Sequence, residues 1–186
     1  MRWDGIYDMK RGVCVKNKSI FTIVVALLVI VIILAYVNKQ NMKVTGLDAI
    51  DGKILITAGG QEKKLEFQDI KALNPIKFKA IQDTSKSGPE EHEFKGVLLK
   101  DVISKAFSQD ELKKCTKVIV KAIDGYTVAL SPEEVMATDN VYLAFEKDGE
   151  PLKSKVDGGS GPYQVIIRKD EFSQRWCKFV TEVSLQ

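Results

Sequence analysis

The chain has 186 residues, 45% of them hydrophobic, with 28 basic and 25 acidic side chains and a net charge of +3. Five of the basic and two of the acidic residues precede residue 38, leaving 23 of each sign beyond it, so a general field for nucleic acid is excluded there and any anion site must be local. Three cysteines, with no C-x-x-C or His-x-x-x-His spacing, exclude a fold defined by disulfides or zinc.

The first element in chain order is Ile20–Val37, IFTIVVALLVIVIILAYV, 18 residues without a charge. As a helix it would extend roughly 27 Å, which matches the hydrocarbon thickness of a bilayer, whereas a core helix would carry polar residues on one face. Arg2, Lys10, Arg11, Lys16 and Lys18 precede it, and only Lys39 and Lys43 follow closely, so the positive-inside bias puts the N-terminus in the cytoplasm. The run is longer than a signal-peptide core and no A-x-A-like site follows, so the anchor is expected to be retained. The expected organisation is a cytoplasmic segment 1–19, a transmembrane helix 20–37, a tether 38–49 and an extracytoplasmic domain 50–186.

Within that domain, runs rich in β-branched and aromatic residues predict strands at Lys53–Thr57, Lys77–Gln82, Lys117–Ala122, Tyr126–Leu130, Val141–Phe145, Tyr163–Ile167 and Lys178–Leu185. Helices are fewer. A short one is expected at Phe67–Leu73, and Leu98–Phe107 carries an apolar stripe of Leu99, Val102, Ile103 and Ala106. Another begins at Ser131-Pro132-Glu133-Glu134, which combines an N-cap serine, proline at the first helical position and a capping-box glutamate. Asp124-Gly125 between two apolar runs signals a hairpin, while Glu90-Glu91, in the charged run Glu90–Glu93, is expected in a loop. Short helices among hairpin-linked strands predict an α+β domain with mixed or antiparallel sheets.

Asp157–Pro162 is the most unusual stretch, with three glycines and a proline in six residues. Such a loop lets backbone N–H groups approach an anion, although a glycine-rich connection is also simply a turn. Lys153 and Lys155 lie upstream of it and Arg168, Arg175 and Lys178 downstream, where they would neutralise a phosphate. The single histidine, His92, lies in a charged run, and no serine has a G-x-S-x-G setting, so no hydrolase arrangement is visible. Cys115 and Cys177 read either as small buried apolar residues or as a disulfide, and the sequence leaves that open.

Four segments together resemble the molybdopterin-binding domain of the sulfite-oxidase-type oxidoreductases. They are Phe94–Val102 (FKGVLLKDV), Asp124-Gly125-Tyr126, Val141–Leu152 (VYLAFEKDGEPL), and Gly158–Ile167 (GGSGPYQVII) with Lys178-Phe179-Val180, in the family's order across roughly 50–186. The resemblance implies a mixed α+β fold that binds the pyranopterin of the molybdenum cofactor. It assigns Gly159, Ser160 and Gly161 to the pterin loop, with Tyr163, Gln164, Arg175 and Lys178 beside it; Gln164 stands where the family often has arginine. Redox members supply a cysteine to molybdenum from the segment that here reads Lys77–Gly88, KFKAIQDTSKSG, which contains no cysteine. No metal ligand is therefore expected from this chain.

The reading that follows is a membrane-anchored extracytoplasmic module binding a pterin or molybdopterin-type ligand without molybdenum redox chemistry of its own. The alternatives are a minimal molybdopterin-dependent oxidoreductase or electron-transfer subunit, and an interaction protein with a vestigial pocket. Expected partners are the pterin-type ligand, the membrane and a membrane or extracytoplasmic protein; nucleic acid is not among them.

Overall fold

The structure is a computed structural model that describes residues 23–34, 52–84, 88–155, 157–171 and 173–186. The chain divides between Met42 and Lys43 into two units. The described part of the first is helix α1, residues 23–34, all aliphatic and exposed. No helix among the described residues is long and apolar enough to cross a membrane. The flanks of the expected span, together with segments 1–19 and 38–49, lie outside the described residues.

Among its described residues the second unit carries two five-stranded sheets and four short α-helices. Strands β1 (Ile54–Ala58), β2 (Gln61–Leu65), β5 (Val118–Ala122), β6 (Thr127–Leu130) and β10 (Val180–Leu185) form the first sheet in the order β2-β1-β10-β5-β6. In it β1 and β10 run parallel and the other pairs are antiparallel. The second sheet is wholly antiparallel: β3 (Ile76–Thr84), β4 (Gly88–Leu98), β7 (Val141–Lys147) and β8 (Glu150–Pro151) follow one another, and β9 (Gln164–Ile167) pairs with β7. This is the α+β, mixed-sheet architecture expected from the sequence.

Helix α2 (Phe67–Lys71) follows β2, and α3 (Leu99–Ala106) follows β4. The expected stripe of α3, Leu99, Val102, Ile103 and Ala106, is buried, and the helix touches β2 of the first sheet and β4 and β7 of the second. That stripe is part of the core shared by the two sheets, at roughly 1.5–3 kcal/mol for each large side chain removed from water. Helix α5 (Pro132–Met136) has the full capping box: the Ser131 hydroxyl accepts from the Glu134 N–H at 3.1 Å, and the Glu134 carboxylate accepts from the Ser131 N–H at 2.9 Å.

Three elements differ from the sequence expectation. Strand β2 is QEKKL with four exposed residues, so it lacks the apolar alternation that marks a half-buried strand; pairing with β1 defines it. Glu90–Glu93 lie inside β4, not in a loop, because Lys77 and Lys79 on β3 meet Glu93 and Glu91, each at 2.7 Å, and the facing charges compensate across the pair. Helix α4 (Gln109–Lys114) is capped by the Ser108 hydroxyl, which accepts from the Glu111 N–H, a signature that was legible in Ser108-Gln109-Asp110-Glu111.

Candidate functional site

The loop after β8 is folded back on itself by its own backbone. The Gly159 N–H donates to the Ser154 carbonyl at 2.9 Å, the Gly161 N–H donates to the Lys153 carbonyl at 2.8 Å, and the Gly158 N–H donates to the Lys155 carbonyl at 3.2 Å. A Cβ on Gly159 would lie 2.1 Å from the Lys153 carbonyl oxygen, and one on Gly161 would lie 2.3 Å from that of Leu152. These two glycines are therefore required by backbone packed on backbone. Their N–H groups, expected to face an anion, are already bonded within the loop.

The loop is also tied to the C-terminal strand. The Ser160 carbonyl accepts from the Phe179 N–H at 2.9 Å, and the Tyr163 carbonyl accepts from the Val180 N–H at 3.0 Å. Phe179 has a φ of 56°, and the bend there brings Lys178 to the loop. Among the described residues, neither the N–H nor the hydroxyl of Ser160 has a partner.

Gly159, Ser160 and Lys178 thus line one cleft of about 290 Å³. Lys153, expected upstream of the loop, also lines it; the rest of the wall comes from residues that sequence reasoning missed, Gln82 near the end of β3 and Lys147 at the end of β7, with Glu150 beside them. Gln82 is only 7% exposed, and its side-chain oxygen accepts from Lys147 Nζ at 2.9 Å. Burial holds the Lys147 ammonium below the ordinary lysine range, and the charge of Lys178 acts in the same direction. Three lysines and one carboxylate make this a local positive site in a neutral domain. A signal for Gln82 was present: the buried register Phe78, Ala80, Gln82 puts a polar side chain on the apolar face of β3.

Lys178 also borders a neighbouring cleft of about 380 Å³ formed with Asp124, Tyr126, Trp176 and Phe179. Here Lys155 pairs with Asp124 at 3.0 Å and lies over the Phe179 ring at 5.3 Å from its centroid. Lys155 holds the Asp124 carboxyl below its usual range.

The remaining expected site residues are placed elsewhere. Gly161 is buried under Leu152, and Tyr163 is a core residue whose hydroxyl donates to the Gly52 carbonyl at 2.7 Å. Arg175 does not line the cleft: its guanidinium is held by Asp170, with Nε at 2.9 Å from one oxygen, and by Glu134 at 2.8 Å. Gln164 is 1% exposed on β9, and its side-chain nitrogen has no partner among the described residues. That is a costly state for a buried amide.

Both described cysteines are free. Cys177 is fully buried beside Val165, and burial pushes its thiol up to about 12. Cys115 donates to the Leu112 carbonyl, and burial raises its thiol as well. The wider cleft of about 460 Å³ around Lys79, Arg168 and Asp170 has acidic side chains in slight excess over basic ones, with Arg168 paired to Asp139.

A sequence-family model described as "Oxidoreductase molybdopterin binding domain" matches residues 58–186. Among solved structures, the chain is similar to the sulfane dehydrogenase SoxCD from Paracoccus pantotrophus, at 17% identity and a TM-score of 0.59. The similarity covers 73% of this chain but only 38% of that one, so it speaks for the fold. No curated protein sequence matches.

Proposed function

The chain belongs to the oxidoreductase molybdopterin-binding domain family, and from that premise we propose that residues 50–186 bind a pterin or molybdopterin-type ligand in the cleft between the glycine loop and the β7–β8 turn. The observation that carries this reading is the convergence of Gly159, Ser160 and Lys178 with Gln82 and Lys147 on one positive cleft. The ligand's phosphate meets the lysines. Its planar ring lies toward the aromatic cleft of Tyr126, Trp176 and Phe179, which shares Lys178.

The residues present fit the organic part of such a cofactor. Gln82 is a buried amide with a donor to spare, and the lysines supply charge for a phosphate. When bound, the group would supply electron transfer in redox relatives, through a metal held by a cysteine. The donors here do not fit that metal bond. Among the described residues of 77–88 the side chain that lines the cleft is Gln82, an amide, while Cys177 is not in its lining and is a buried, high-pKa thiol. The reading is therefore binding without a molybdenum–thiolate centre supplied by this chain, set against the oxidoreductase or electron-transfer alternative.

The same proposal includes an anchor at residues 20–37, with 1–19 in the cytoplasm and the domain outside. It is supported by the basic asymmetry of the flanks and by the wholly aliphatic, exposed surface of α1. An impermeant thiol reagent on intact cells should spare Cys14 and label a cysteine introduced at Lys43; the reverse pattern would overturn the orientation.

Ligand binding is tested by the fluorescence of a phosphorylated pterin titrated with the full chain in detergent. Lys178→Ala should weaken binding about 10- to 100-fold, the worth of a charge-assisted hydrogen bond. Unchanged affinity, or no binding by the unaltered chain, would refute the reading.

A further inference from the structure

His92, the single histidine of the chain, lies on β4 with its ring between two carboxylates. Its Nδ1 is 2.8 Å from Asp148 on the β7–β8 turn, and its Nε2 is 3.5 Å from Glu90. A neutral imidazole has one donor and one acceptor, so one of its nitrogens then turns a lone pair toward a carboxylate. Only the imidazolium donates toward both. Lys147 of β7 is the cation of this group, acted on by both Asp148 and Glu90. On the other side β3 brings no charge: Ala80 faces His92 in the ladder, and Gln82 faces Glu90. The Phe94 ring lies against the imidazole, with centroids 6.3 Å apart.

The contact bears on the cleft because of what holds the turn. The β4–β7 ladder ends at Phe94 and Lys147, and β8 pairs with β7. Beyond that point Asp148 ties the turn to β4. Its N–H donates to the Glu93 carbonyl at 2.7 Å, and its carboxylate accepts from the Glu93 N–H at 3.1 Å and meets His92. Lys147 and Glu150, on either side of Asp148-Gly149, line the cleft. We propose that His92 is a pH-sensitive clasp on the β7–β8 turn: protonated, it bridges Asp148 and Glu90 and fixes the turn; neutral, it releases Glu90 and loosens it. The change falls within about pH 5–8, where histidine changes charge. Burial acts to raise the Asp148 carboxyl, but its bonds to the Glu93 N–H and to His92 outweigh that and hold it below the ordinary range, so it stays ionised while the ring titrates. The clasp stands on the geometry of the turn; its consequence for binding, a firmer grip at acid pH, rests on the ligand reading above.

The test uses the full chain in detergent. The ring of the single histidine is followed by ¹H–¹³C correlation, and the Asp148 amide by ¹⁵N-aspartate labelling, its signal identified by loss in Asp148→Asn. The expected result is an Asp148 amide that moves with the same midpoint as the ring and stays in place in His92→Gln. Glu91→Gln, which removes a carboxylate that pairs with Lys79 and points to the other face of β4, should leave the coupled titration unchanged. A ring that titrates without the Asp148 amide, or an amide that moves equally in His92→Gln, would overturn the clasp. The grip is read from the affinity for a phosphorylated pterin at about pH 5.5 and 7.5, with His92→Gln reporting the phosphate's own titration in that range. The ratio of the two affinities should be about three- to tenfold larger in the unaltered chain, the margin of a charge-assisted over a neutral hydrogen bond. Equal ratios would overturn the link to the cleft. No pterin binding at either pH, with the turn still following the ring, removes the pterin reading and leaves the clasp.

Discussion

Gly161→Ala distinguishes two roles for the glycine loop. Sequence reasoning gives the glycines to the ligand, as open backbone that an anion can approach. The geometry gives them to the fold: a Cβ at 161 would sit 2.3 Å from the Leu152 carbonyl oxygen, 2.7 Å from its Cβ and 2.8 Å from its carbonyl carbon. Two of those atoms are backbone, so relief requires the Leu152–Lys153 segment to move by about 1 Å to reach ordinary contact distance. Overpacking of this kind costs about 1–3 kcal/mol. Loss of the bond from the Gly161 N–H to Lys153, now 2.8 Å, adds about 0.5–1.5 kcal/mol. The total, about 1.5–4.5 kcal/mol, corresponds to a melting temperature lowered by on the order of 5–15 °C for a unit of this size. Circular dichroism melts of the full chain read the shift, and ligand affinity measured well below the midpoint separates stability from binding. An unchanged melt with ligand lost would refute the packing argument and return the glycine to the ligand.

Gly125→Val should lower stability by about 1 kcal/mol or more, because Gly125 turns the β5–β6 hairpin at a φ of 87° with open space around it; a variant that melts normally yet loses ligand would move this turn into the binding site. Arg175→Met should flatten the acid limb of the stability profile. Arg175 holds the Glu134 carboxyl below its usual range, so the stability that pair contributes is present above about pH 4.5 and is lost as the pH falls through the lower folded value. Identical acid limbs in chemical denaturation of the two proteins would show that the pair contributes nothing. Iodoacetamide at pH 8 should alkylate Cys115 well before Cys177, whose buried thiol is pushed up to about 12, as peptide mass mapping would record; rapid reaction at Cys177 would make it a thiolate available to a metal.

The elements legible in the sequence are those whose local chemistry suffices. The stripe of α3, the capping box at Ser131 and the Asp124-Gly125 turn are each complete within a few residues, and each lies where expected. Strands β2 and β4 were not legible because their side chains are largely polar, without a clear apolar alternation; each is defined by antiparallel pairing with the strand before it, where Lys77 and Lys79 face Glu93 and Glu91. The candidate site was legible by half. Its glycine loop and Lys178 announce themselves by composition, but the wall of Gln82 and Lys147 comes from two strands 65 residues apart and is made by tertiary pairing. Arg175 follows the glycine loop in sequence as Lys178 does, yet its charge is committed to Asp170 and Glu134.

The central claim, a pterin-type ligand held without a metal–thiolate bond, is tested most directly by native mass spectrometry of the full chain purified from its own host, with molybdenum measured on the same sample. The account predicts a bound phosphorylated pterin-type mass that persists in Cys115→Ser and Cys177→Ser. Stoichiometric molybdenum lost together with redox activity in either cysteine variant would contradict it.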